Sequence, residues 1–209
     1  MGLFTPVWNI DERSERIKAV KKVIAKSDQG KLIKIFNESN YRDTRLLILE
    51  EIENKDVLVD IVKNDNDSKV REFIVKKISD NLVLADVAIN DSNPEIQDLA
   101  VKKIDNQLIL ADVAKSNCGW DISSYALSKI KNDAMLADIA KNAHIYGIRG
   151  TAAMKINDEA ILEDLLNTNS FWVVYYSSGI NSDFIPSKEI IEDIKNKKCR
   201  LDIWPETRL

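Results

Sequence analysis

Histidine and cysteine are almost missing from this chain: His144 stands alone, and the only thiols are Cys118 and Cys199. Three such residues cannot fill a four-ligand zinc site, so no metal centre is expected. Two cysteines make no disulfide framework, which points to a reducing compartment. Glycine and proline are also sparse, at 6 and 4 residues. The sequence holds no P-loop, no Gly-rich dinucleotide fingerprint and no HExxH, so no cofactor is expected. No run approaches the ~18 apolar residues that span a bilayer. MGLFTPVWN lacks the basic flank and apolar stretch of a signal peptide, and Pro6 stands where a myristoylation motif needs Ser or Thr. These absences predict a soluble cytoplasmic protein without membrane attachment. An excess of one charge is lacking as well, with 30 basic and 34 acidic residues. Residues 1–29 carry 6 basic and 4 acidic groups, residues 30–133 carry 15 and 19, and residues 134–209 carry 9 and 11. No segment is basic enough to track a phosphate backbone, which makes nucleic acid an unlikely partner.

What the chain does have is a period. The aspartates Asp60, Asp86, Asp112, Asp138 and Asp164 are each 26 residues apart. Leu58, Leu84, Leu110, Leu136 and Leu162 keep step two residues earlier, and Val70, Ile96, Ile122, Ile148 and Val174 ten residues later. Four units close on Ile78, Ile104, Ile130 and Ile156, each preceded by a lysine: Lys77, Lys103, Lys129 and Lys155. The register extends back more weakly through Leu32, Arg45, Ile48 and Ile52. Earlier still, RIKAVKKV at 16–23 resembles VREFIVKKI at 70–78. Within a unit, Leu84, Val87 and Ala88 have helical spacing, as do Ile96, Ala100 and Ile104. Between them lies the turn cluster NDSNP, with Pro94 suited to a first helical turn. Two helices of about ten residues and two tight turns fill the period. No sustained alternation supports strands.

One such pair cannot bury its apolar stripe, but stacked copies can. NDNDSKVREFIVKKI at 64–78 resembles the core of HEAT-like repeats: an Asx-rich turn, then Val-Arg, then an aliphatic residue four places on. The unit is shorter than the common HEAT length of about 40–47 residues and is similar to the compact bacterial variety. The resemblance implies an all-α protein: a right-handed α-solenoid of about six helix-turn-helix repeats with helical caps. Residues 1–29 would be an N-terminal cap with a degenerate repeat, and 30–185 the array, with units starting near 30, 56, 82, 108, 134 and 160. Residues 186–209 would be a C-terminal capping helix and tail, with Trp204 docked on the last unit or on a partner. A leucine-rich variant array is the second choice of fold.

The repeated aspartates read as structural. Equivalent positions in stacked helices lie about 8–10 Å apart, whereas two-metal chemistry needs ions about 3.5–4 Å apart. The lysine column is the natural counter-row, each column neutralising the other. Function is sought where the repeat departs from itself. The position eight after the aspartate reads Ser68, Pro94, Trp120, Tyr146, Trp172, and the one eleven after it Arg71, Gln97, Ser123, Arg149, Tyr175. Trp120, Tyr146, Arg149, Trp172 and Tyr175 are therefore the candidate binding residues, since aromatics with arginine are hot-spot types. The opposing reading has the rings packed as wedges between successive turns. Gly147 and Gly150 in YGIRG point to a distorted turn or a close approach. Cys118 and His144 are neighbours by register, but nothing orients the histidine, so no catalytic residue is assigned and the chain is read as a non-enzyme. The functional expectation is a scaffold for a protein or peptide. The alternative is a nucleic-acid binder of the DNA-glycosylase type, a class also built from HEAT-like repeats; this is an analogy of fold alone.

Overall fold

A computed structural model describes residues 6–167, 171–177, 180–182, 192, 196 and 199–205. The chain divides into two compact units, Met1–Ile78 and Ser79–Leu209. The division falls at the joint between two repeats. The first unit opens with a short 3-10 turn, Val7–Asn9, followed by α1 (Arg13–Ile24), α2 (Gln29–Glu38), α3 (Arg42–Glu51), α4 (Lys55–Asn64) and α5 (Ser68–Lys77). The second holds α6 (Asn81–Asn90), α7 (Pro94–Lys103), α8 (Gln107–Lys115), α9 (Trp120–Lys129), α10 (Asp133–Asn142), α11 (Tyr146–Ala153) and α12 (Glu159–Asn167). Strands β1 (Phe171–Ser177), β2 (Ile180–Ser182) and β3 (Cys199–Pro205) complete it.

Every element from Arg13 to Asn167 is a helix, two per 26 residues. Helices this short are marginal alone, so their packing must hold them. In the first unit α2 packs on α3 and α4 on α5, and the second helices α1, α3 and α5 form a row. In the second unit α6 pairs with α7, α8 with α9 and α10 with α11. There α6, α8, α10 and α12 make one row, and α7, α9 and α11 another. The repeated leucines and isoleucines lie between the rows. Leu58, Leu84, Leu110, Leu136 and Leu162 are all buried, as are Ile74, Ile96, Ile122 and Ile148. Each such side chain contributes about 1.5–3 kcal/mol on leaving water.

The helix starts are set by a polar column of the same period. Asp28, Asn54, Asp80, Asn106, Asn132 and Asp158 each accept a bond from a backbone amide two or three residues on. They satisfy amides that the first turn of a helix leaves unpaired. The residue after the cap reaches forward to the next turn in three units. Gln29 accepts from the Glu53 amide, Asn81 from Asp105 and Asn106, and Asp133 from Asn157 and Asp158.

The C-terminal end departs from the expected array. The sixth unit keeps its first helix, α12, but a strand stands where its second helix was expected. The run FWVVYY is rich in β-branched and aromatic residues, which suit a pleated surface better than a helix. β1 lies between β2 and β3, antiparallel to both, with Trp172 opposite Trp204. β3 runs beside α11, so the sheet follows the row of second helices at the place of the missing one. The expected capping helix falls mostly outside the described residues, and the expected tail from Cys199 to Pro205 is β3. Among the described residues, no helix is long and apolar enough to cross a membrane.

Candidate functional site

The lysine column has a task different from the one its sequence predicts. Lys77 Nζ donates to the carbonyls of Leu49, Glu50 and Ile52 at 2.7, 2.8 and 2.9 Å. Lys155 Nζ donates to those of Leu127 and Ser128 at 2.7 and 3.1 Å. Each ammonium thus closes the C-terminal end of the second helix in the preceding repeat, where unpaired carbonyls and the helix dipole attract a cation. Burial pushes the ammonium groups of Lys155 and Lys103 below the usual lysine range. Lys129 departs from the pattern and lies 5.0 Å from the centroid of the Tyr125 ring. For Lys77 and Lys155 the expectation that the lysine and aspartate columns neutralise each other is corrected: both face backbone carbonyls, and Asp60, Asp86 and Asp138 accept from asparagines of their own helices.

Asp60, Asp86 and Asp138 accept from Asn64, Asn90 and Asn142, one helical turn on. Lys115 then bridges two repeats, 3.0 Å from Asp112 and 2.8 Å from Asp138, and Lys141 lies 3.6 Å from Asp164. The Lys115 bond holds Asp138 below the usual carboxylate range, and Asp138 in turn raises Lys115. These lysines, three residues after the aspartate, are the counter-row. Among the described residues, no three His, Cys, Asp or Glu side chains form a group that could hold a metal ion.

Arg149 belongs to a structural column as well. It donates through Nε to the carbonyl of Ala143, six residues back. Arg71 donates to Asp65 and Arg16 to Ile10, also six residues back. In each case the guanidinium ties the turn between paired helices. Burial pushes Arg149 below its usual range, and its guanidinium carbon lies 5.4 Å from the centroid of the Tyr146 ring. Tyr146, at the start of α11, is half-buried.

Trp120 is the candidate that reaches solvent. It begins α9 and is 46 % exposed. The benzo edge of its indole meets Gly147 of the next repeat: a Cβ built there would stand 2.6 Å from Cζ3 and 3.1 Å from Cη2. Gly147 is therefore the close approach that YGIRG announces, and the approaching group is this chain's own tryptophan. This edge of the ring is supported while about half of the residue remains open to solvent. Trp172 and Tyr175 fall in β1, not at a helix start, and their side chains lie outside the described residues. Two further apolar side chains, which the sequence reading left unassigned, occupy one repeat column near the starts of α6 and α8: Leu82 and Leu108, 71 % and 64 % exposed.

The Cys118 thiol meets the Ser123 hydroxyl at 3.3 Å and faces the Val113 carbonyl. His144 has an exposed side chain, and its backbone amide donates to the Lys115 carbonyl at 2.9 Å. Trp120 is thus an exposed aromatic side chain set against Gly147 of the next repeat. No protein-family model matches this chain, and no curated protein matches it.

Proposed function

We propose that the protein is a non-enzymatic HEAT-like repeat scaffold, an α-solenoid of 26-residue units, that binds a protein or peptide around Trp120. The observation that carries the reading is the half-open indole fixed against Gly147. A ring held rigid before binding loses little entropy on contact, the condition under which tryptophan acts as a hot spot. Tyr146, half-buried at the start of α11 and next to Gly147, is the neighbouring ring of the next repeat. The nucleic-acid alternative needs the lysine column free to meet phosphates. Lys77 and Lys155 are instead bonded to carbonyls, which favours the protein-binding reading.

Selection of a displayed peptide library on the full chain tests this. Enriched peptides should bind the purified protein and lose at least tenfold in affinity on Trp120→Ala, with circular dichroism unchanged. Enrichment indifferent to Trp120, or a salt-sensitive shift of duplex DNA without any peptide selected, would overturn the proposal.

A further inference from the structure

Helix α1 has the register of a second-type helix, and among the described residues no first-type helix pairs with it. Its register is that of α5: Arg16 and Arg71 are both buried and both donate to the carbonyl six residues back, and Val20 matches the buried Val75. In this register Lys22 corresponds to Lys77 and Lys18 to Phe73. On α5 that side receives α3, with Lys77 gripping the three carbonyls at its end. On α1 it receives no helix among the described residues. Instead, Ser14, Ile17, Lys18, Lys21, Lys22 and Ala25 line an open groove of 470 Å³.

We propose that this groove docks an α-helix of a partner protein, acidic on its flank, whose C-terminal carbonyls are capped by Lys22. The helical nature of the occupant follows from the register, since Lys77 and Lys155 both use this position to close a helix end. Its charge follows from complementarity. Lys18, Lys21 and Lys22 line the groove, and the two acids beside them are engaged, Glu15 with Lys18 at 3.8 Å and Glu12 with the Ser14 hydroxyl at 2.8 Å. Where α5 offers the ring of Phe73, α1 offers an ammonium, so the occupant needs a carboxylate there. The helix that α5 receives ends in the same chemistry, with Glu50, Glu51 and Glu53 around the carbonyls that Lys77 holds. Ile17 and Ala25 supply apolar contact. A second copy presenting the same face would oppose lysine with lysine. This site is independent of the Trp120 surface, so either can fail alone.

The probe is a stapled helical peptide carrying residues 42–54 of this chain, labelled for fluorescence anisotropy against the full-length protein. The wild type is expected to bind it, with affinity falling at least tenfold on Lys22→Glu and again on Lys18→Glu. Both lysines are exposed, and circular dichroism checks that each variant stays folded. Replacing the peptide's three glutamates by glutamine should weaken binding to a similar degree. No binding by the wild type, equal binding by the lysine variants, or equally tight binding of an oligonucleotide of the same charge would each overturn the proposal.

Discussion

Replacing Lys77 by methionine removes one ammonium and keeps most of the side chain's length. The structure sets the scale of the effect. Nζ makes three bonds of 2.7–2.9 Å to the end of α3, at Leu49, Glu50 and Ile52. The bonds do not add, because the ammonium exchanges three waters for three carbonyls. A bond to a charged group contributes about 1.5–3 kcal/mol net, and a cation at a helix C-terminus about 0.3–1 kcal/mol. Against this stands the rotamer entropy of an ordered lysine, up to about 2 kcal/mol. The balance for Lys77→Met is a loss of about 1–2 kcal/mol. Lys76 is the internal control. Its neighbour in sequence, it bridges to Glu72 at 2.6 Å on an exposed face, and such pairs contribute about 0–1 kcal/mol. Urea denaturation of the full chain, followed by circular dichroism, measures both. Salt at 1 M should erase most of the Lys76→Met effect and leave much of the Lys77→Met effect, since screening acts mainly on exposed charges. Equal losses for the two variants, or no loss for Lys77→Met, would refute the assignment of the lysine column to helix ends.

Gly147→Ala should leave stability within about 1 kcal/mol of wild type, because the helix-propensity gain of about 1 kcal/mol offsets the displaced indole. The Trp120 indole resonance should shift toward solvent values in an NMR spectrum, and an unmoved resonance would contradict the packing of ring on glycine. Asn132→Ala removes a cap bond to Met135 and should cost about 1 kcal/mol, whereas Asp112→Asn should cost less than about 0.5 kcal/mol; thermal unfolding of the pair checks the order. Acid should weaken the protein over a defined range. Bonds from Lys69 and Lys76 bring Glu72 down from 4.5 to about 2, and the Lys115 bond lowers Asp138. A carboxyl lowered on folding adds stability above its unfolded value and loses it as pH falls through its folded value. Unfolding free energy should therefore decline from about pH 5 toward pH 2, with Glu72→Gln removing a part below about 1 kcal/mol, given solvent screening. A flat profile over that range would contradict the pairings.

The period, the paired helices and the leucine core were legible because each rests on local spacing. A helix of ten residues shows its buried face through i, i+3, i+4 positions such as Leu84, Val87 and Ala88. The caps were legible in kind, since Asx residues stand between units, although their own 26-residue column from Asp28 to Asp158 went unremarked. The partners of the lysines were not legible. Lys77 bonds to backbone carbonyls 25–28 residues away, and a carbonyl carries no side-chain signature. Opposite charge at equal period made the aspartates the apparent partner, while the lysines three residues after Asp112 and Asp138, present only in some repeats, were passed over. The strand at Phe171 was hidden by the repeat itself: extending a 26-residue register over FWVVYYS gave a helix where composition favours a strand. Gly147 and Gly150 pointed to a distorted turn or a close approach; that Gly147 is a close approach, and which group approaches it, depends on how α9 and α11 pack.

The central claim is that the shared columns join interchangeable units. Duplicating residues 82–107, one full period, in tandem tests it most directly. The account predicts that the longer chain is folded, with helical ellipticity per residue at least as high and a higher thermal midpoint, because each repeat adds its own interfaces. A 20-residue insertion at the same point should destroy that order. Loss of cooperative unfolding in the 26-residue duplication, or equal tolerance of both insertions, would contradict it.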